Sequence, residues 1–164
     1  MNLFEEISED LFRPLNSKKV ITVENLTTYH DRDEEEAVFI YLGGFHNNSK
    51  QKLLEKVFKS NRDLEYLHEG DLDVYGFLIL ENLKAKTGIP FKSFLMDVQT
   101  LDRFYKAGLF KSLTARDKRV IETKKDGALS EYKDVLEYML RYDCKVEQES
   151  ISALDLIEKM GKLD

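Results

Sequence analysis

The chain has 164 residues, 42% of them hydrophobic and 34% charged, which suits one ordinary domain with a real core and is short for two. Its net charge of −6 argues against a domain that grips nucleic acid through its own field, although bound cations can invert that logic locally. One cysteine, Cys144, excludes an internal disulfide framework and fits a reducing cytoplasm, and with only three scattered histidines it is a poor basis for structural zinc. No window approaches the ~18 to 20 apolar residues of a membrane span, and the acidic start MNLFEEISEDLF lacks the regions of a signal peptide.

In chain order, residues 1–17 read as an amphipathic lead-in with Leu3, Phe4, Ile7, Leu11 and Phe12 near helical spacing, ended by Pro14. KKVITVEN, residues 18–25, reads as a first strand on its β-branched run. LTTYHDRDEEE follows as loop and short polar helix, with Asp31 to Glu36 a solvated surface. AVFIYLGG is a second, almost wholly apolar strand, as expected where both faces of a parallel sheet are covered. Asn47 or Asn48 then caps a helix to about Ser60, with Leu53, Leu54, Val57 and Phe58 as its stripe. Lys50, Lys52, Lys56 and Lys59 fall largely off that stripe, where they are either a wet helix face or phosphate contacts.

Residues 64–70 form a third strand, and Val74 to Thr87 a helix stopped by Gly88 and Pro90. FKSFLMD, residues 91–97, is a fourth strand. Helices are expected near 99–107, 114–125 and 130–142, then a short strand or turn at 144–147 and a closing helix at 150–160. Within that last helix Ser152 and Asp155 stand in capping-box spacing. The alternation predicts an α/β fold, a single domain over 18–164 with about four mostly parallel strands and helices on both faces.

The most informative stretch is YLHEGDLDVYG, where Asp71 and Asp73 precede Gly76 at a strand-to-helix turn. Strand alternation points the two carboxylates the same way, and two hard oxygen donors so close repel unless a cation lies between them. A polar turn with a helix N-cap is the equally open reading. Ligands bind beyond the carboxyl ends of strands in an open parallel sheet, and Glu24, Asp71 with Asp73, and Asp97 are all expected there. Asp97 can equally cap the next helix. Oxygen-only ligands favour Mg²⁺ or Mn²⁺ over zinc, and such ions suit chemistry on phosphate esters.

A glutamate ending the first strand (VITVEN) followed by DxDxxG after the third (GDLDVYG) resembles the Toprim signature. More closely, ENLTTY, YLGGF, EGDLDVYGFLIL, FLMD and KVEQESI resemble the C-terminal domain of JetD, the nuclease subunit of Wadjet anti-plasmid systems, related to the A subunit of topoisomerase VI. The resemblance covers most of residues 18–160 and implies a Toprim-like fold. It implies Glu24, Asp71 and Asp73 as the catalytic set: Glu24 a metal ligand or general acid/base, Asp71 and Asp73 holding Mg²⁺ (or Mn²⁺). It implies that Gly76 lets its helix pack close to the strand. Glu147 or Glu149, in KVEQES, resembles a further acidic motif that joins the same metal or else is a charged strand end. His30, His46 and His68 are expected in ordinary roles, with His68 near enough to contact phosphate.

The implied partners are DNA and the other subunits of a defence complex like those of structural maintenance of chromosomes; a homodimer is compatible, and a membrane is not expected. The cutting tyrosine of topoisomerase VI-like enzymes sits on a winged-helix domain before the Toprim domain, and about seventeen residues before the first strand leave no room for one. The expected activity is metal-dependent phosphodiester hydrolysis. The alternatives are a non-catalytic metal-binding or docking domain, and a phosphatase of the haloacid dehalogenase type, which normally carries its DxD on the first strand.

Overall fold

The computed structural model describes residues 15–25, 36–43, 47–147 and 150. The lead-in, most of the acidic run, His30, His46, Glu149 and the closing helix lie outside them. The described elements are β1 (Lys19–Val23), β2 (Ala37–Tyr41), α1 (Asn48–Ser60), β3 (Glu65–Glu69), α2 (Val74–Thr87), β4 (Lys92–Ser93), α3 (Val98–Lys106), α4 (Ala115–Lys124), a 3-10 turn at Ser130–Tyr132, and α5 (Lys133–Tyr142).

The sheet runs β2-β1-β3-β4 with every pair parallel, the α/β architecture expected of a Toprim-like fold. β1 is central, and Val20, Ile21, Thr22 and Val23 are fully buried, as a strand covered on both faces must be. β2 departs from expectation. It is an edge strand, so its apolar residues are only half-buried and Tyr41 is exposed.

Alternation divides the sheet into two faces. Val20 and Tyr66 belong to a large cluster to which all five described helices contribute, among them Leu54, Phe77, Leu101, Ile121 and Leu136. Ile21, Val23 and Leu67 form a small second cluster with Ala37, Phe39 and Phe94. The β2-to-β3 and β3-to-β4 crossovers progress in the same direction across the sheet, which puts α1 and α2 side by side on one face.

The fourth strand is shorter than its sequence suggests, two residues rather than seven. Leu95 takes a φ of +56°, which turns the chain out of the sheet soon after Phe94 donates to the His68 carbonyl. Asp97 is therefore no strand end. Its carboxylate caps α3 by accepting from the Thr100 N–H at 2.7 Å. Residues 144–147 form two isolated antiparallel bridges, Leu72 with Val146 and Lys111 with Lys145.

Candidate functional site

The site starts from register. Thr22 pairs with His68 and Val23 with Glu69, so β1 and β3 end level and Glu24 is the first residue past the sheet edge. Its N–H continues the ladder to the Glu69 carbonyl at 3.2 Å. Alternation puts Thr22, Glu24, His68 and Gly70 on the large-core face, opposite Val23, Leu67 and Glu69.

There the side chains make a buried relay. Glu24 Oε1 lies 2.8 Å from His68 Nε2, and His68 Nδ1 lies 2.8 Å from Thr22 Oγ1. Thr22 Oγ1 is in turn 3.3 Å from the Leu67 carbonyl. Thr22 and His68 are fully buried, and the Glu24 side chain is 9% exposed. An ionised carboxylate only accepts, so His68 donates through Nε2; its Nδ1 then either accepts from the Thr22 hydroxyl or donates to it while that hydroxyl serves Leu67. His68 is thus shut away from solvent with both nitrogens engaged, and the expectation of a phosphate contact gives way to an internal role.

Gly70 and Gly76 make the close approaches possible. A Cβ on Gly70 would lie 2.2 Å from Glu24 Oε1 and 3.1 Å from His68 Nε2. A Cβ on Gly76 would lie 2.1 Å from the Asp71 carbonyl oxygen, so the glycine lets α2 start tight against the turn, as expected. Neither position has a positive φ; steric space alone requires glycine at each.

Between them, Leu72 is buried in the large cluster and pairs with Val146, flanked by half-buried Asp71 and buried Asp73. Asp73 caps α2, its Oδ1 accepting from the Gly76 N–H at 2.8 Å, so the N-cap reading holds for this residue. The cap hydrogen bond occupies one carboxylate oxygen. Burial pushes the Asp73 carboxyl above its usual range; the Gly76 and Tyr75 N–H groups and Lys145 pull it back, and the Glu24 charge adds to the rise.

The sequence did not flag Lys145. The bridge at Leu72 brings it beside Asp73, and buried Asp117 on α4 holds its ammonium at 2.9 Å. Glu147 is engaged by a different lysine. It pairs with Lys111 at 2.7 Å beside a cavity of about 230 Å³ that Phe110, Lys145 and Ser150 also line. Thr22 and His68 did carry a signal, as polar residues inside apolar strands, but only the register shows that they face each other.

Among the described residues no three His, Cys, Asp or Glu side chains stand close enough to chelate an ion by themselves. The donor chemistry still fits Mg²⁺, which commonly takes one or two carboxylates and completes its shell with water and substrate phosphate. Glu24, Asp71 and Asp73 supply hard oxygens only. Among the described residues no helix is long and apolar enough to cross a membrane.

A parallel α/β domain with acidic residues just past the ends of two neighbouring strands is the class that fold and site define. Within that class the chain belongs to the family described as Wadjet protein JetD, C-terminal, which matches residues 4–160. It is 28% identical over 151 residues to the Wadjet protein JetD of Bacillus cereus (strain Q1), covering 90% of this chain and 37% of that relative. The chain thus spans little more than a third of the curated relative's length.

Proposed function

We propose that this chain is a metal-dependent nuclease domain of the Toprim type, acting on DNA within a Wadjet defence complex. The observation that carries the reading is register: β1 and β3 end level, so Glu24 and the turn that bears Asp71 and Asp73 leave the sheet at the same edge. Ligands bind beyond the carboxyl ends of strands in an open parallel sheet, and acids placed there suit a divalent cation. Membership in the JetD C-terminal family supports the reading further.

In this mechanism Asp71 and Asp73 would hold Mg²⁺ or Mn²⁺, with Glu24 as third ligand or as acceptor of the attacking water's proton. When bound, the ion would polarise a phosphoryl oxygen and favour deprotonation of water. The chain's own residues orient the reaction. The Asp73 cap fixes one carboxylate to the start of α2, and the positive end of that helix favours a phosphate nearby. Lys145, beside Asp73, offsets part of the negative charge. The net charge of −6 leaves most of the grip on DNA to other parts of the assembly.

The test is plasmid cleavage by the assembled complex carrying Asp73→Asn, with melting of the isolated chain alongside. Asparagine keeps the cap and removes the buried charge, so cleavage should fall by at least ~100-fold while the melting temperature holds or rises. Wild-type cleavage rates in that variant would refute the assignment. The lack of a ready three-ligand cluster among the described residues favours a second reading, a docking domain that does not cut. That reading gains if the intact complex binds Mn²⁺ through this chain yet the substitution leaves cleavage unaltered.

A further inference from the structure

We propose that His68 is a positioning residue for Glu24, holding the carboxylate where it acts together with Asp73 on a divalent cation. The inference deepens the metal reading above and rests on it. His68 lies at the end of the central parallel pair, fully buried on the face that carries the large apolar cluster. A buried imidazole is tolerated only when its nitrogens are satisfied, and an apolar side chain would fill the same space without that requirement. Both nitrogens are satisfied here, by one partner on the fold side and one on the site side: Thr22 at 2.8 Å and Glu24 at 2.8 Å.

Thr22 sits directly across the ladder from His68, so the inner end of the relay is set by β-sheet register rather than by a flexible side chain. At the outer end the contact takes Oε1 of Glu24, and the missing Cβ of Gly70 leaves the room in which Oε1 and Nε2 meet. Glutamate has three side-chain torsions, and this contact selects among their combinations before any ligand arrives. Carboxylates that ligate metals are themselves held by hydrogen bonds, and losing such a partner typically costs 10–100-fold in affinity or activity. His68 has no surface from which to touch substrate, so its effect passes through Glu24.

The experiment is Mn²⁺ titration of the full chain, followed by the electron paramagnetic resonance of free Mn²⁺, with a thermal melt of each protein. The variants are Glu24→Gln, His68→Asn, His68→Gln and Thr22→Val. Asparagine places its amide near Nδ1 and loses Glu24; glutamine reaches to where Nε2 lies and can still donate to it. His68→Asn should weaken Mn²⁺ binding about 10–100-fold, and His68→Gln should recover most of that loss. A merely structural histidine would show no such ordering.

If Glu24→Gln loses affinity while His68→Asn binds like wild type, the inference falls and the metal reading stands. Equal weakness in the Asn and Gln variants would also overturn it. If Glu24→Gln binds Mn²⁺ as well as wild type, the metal role of Glu24 fails and takes this inference with it. Should the His68 variants not fold, Thr22→Val decides: several-fold weaker binding supports the relay, and unchanged binding overturns it.

Discussion

Two buried carboxylates in this molecule meet a basic group at nearly the same distance, Asp117 with Lys145 at 2.9 Å and Glu24 with His68 at 2.8 Å. Their surroundings differ in kind. Asp117 is enclosed by donors: it accepts from the Thr114 N–H at 2.7 Å, and its own N–H returns to the Thr114 hydroxyl at 3.1 Å, completing a capping box. Everything around it closes α4 and ties residues 144–147 to that helix. Glu24 instead terminates a relay that runs inward through His68 to Thr22, at the sheet edge where the turn bearing Asp71 and Asp73 begins. A buried acid surrounded by donors fixes the fold, whereas Glu24 is the one that the proposed function assigns to a ligand.

The comparison breaks most readily at Asp117. Asp117→Ala would strip the capping box and leave the Lys145 ammonium, only 15% exposed, without its carboxylate. Breaking a buried pair from one side costs about 3 kcal/mol, the low end of the usual range being apt because Lys145 keeps some exposure. Denaturant titration should show that loss as a lower midpoint at unchanged slope. A midpoint within error of wild type would mean the pair is not what holds α4.

The two glycines sharpen the contrast at a smaller scale. An alanine at 76 would meet backbone, the Asp71 carbonyl, so the turn or α2 itself must shift. At 70 the methyl would meet the end of the Glu24 side chain, which can swing away. Gly76→Ala should therefore cost about 2–3 kcal/mol and Gly70→Ala about 1 kcal/mol. Gly70→Ala should nonetheless weaken Mn²⁺ binding, because the displaced group is Glu24. Stability and metal titrations of both variants check the ordering; a Gly70→Ala protein with wild-type affinity would separate Glu24 from the site.

The chain's periodicity made most of this fold legible. Strand and helix alternation places β1, β3 and α1 to α5 close to where they lie, because burial and capping are local signals: Asn47, Asp73 and Thr114 each cap the helix they precede. What periodicity could not supply is sheet order. It made β2 a covered strand when it is an edge, and it ran β4 through Leu95, whose left-handed backbone no residue pattern announces. The acids were legible as types and as an approximate edge. The relay behind Glu24 was not, since Thr22 and His68 are 46 positions apart and meet only through register. Lys145 escaped notice for the same reason: the isolated bridge between Leu72 and Val146 brings its segment to the turn that holds Asp73.

The smallest effect is also the one that distinguishes the two kinds of carboxylate by sign. Burial raises the Asp117 carboxyl, but the Lys145 ammonium and the Thr114 donors outweigh it and hold the group below the usual range. The unfolded chain then binds its proton first as pH falls, so Asp117 stabilises the fold above the ordinary carboxylate value of about 3.9 and loses that contribution as pH drops through the lower folded value. Asp73 is shifted the other way, chiefly by burial. Its contribution is fully present below the ordinary value and fades as pH rises through the raised one. In chelator, to keep metal away, melts from pH 7 down to 3 should show Asp117→Asn at its greatest disadvantage near neutrality and converging on wild type in acid. Asp73→Asn should hold its advantage near neutrality and lose it in acid. Two variants moving in the same direction with pH would mean that the two acids are held by the same kind of surroundings, and the contrast between a carboxylate enclosed by donors and one dominated by burial would fail.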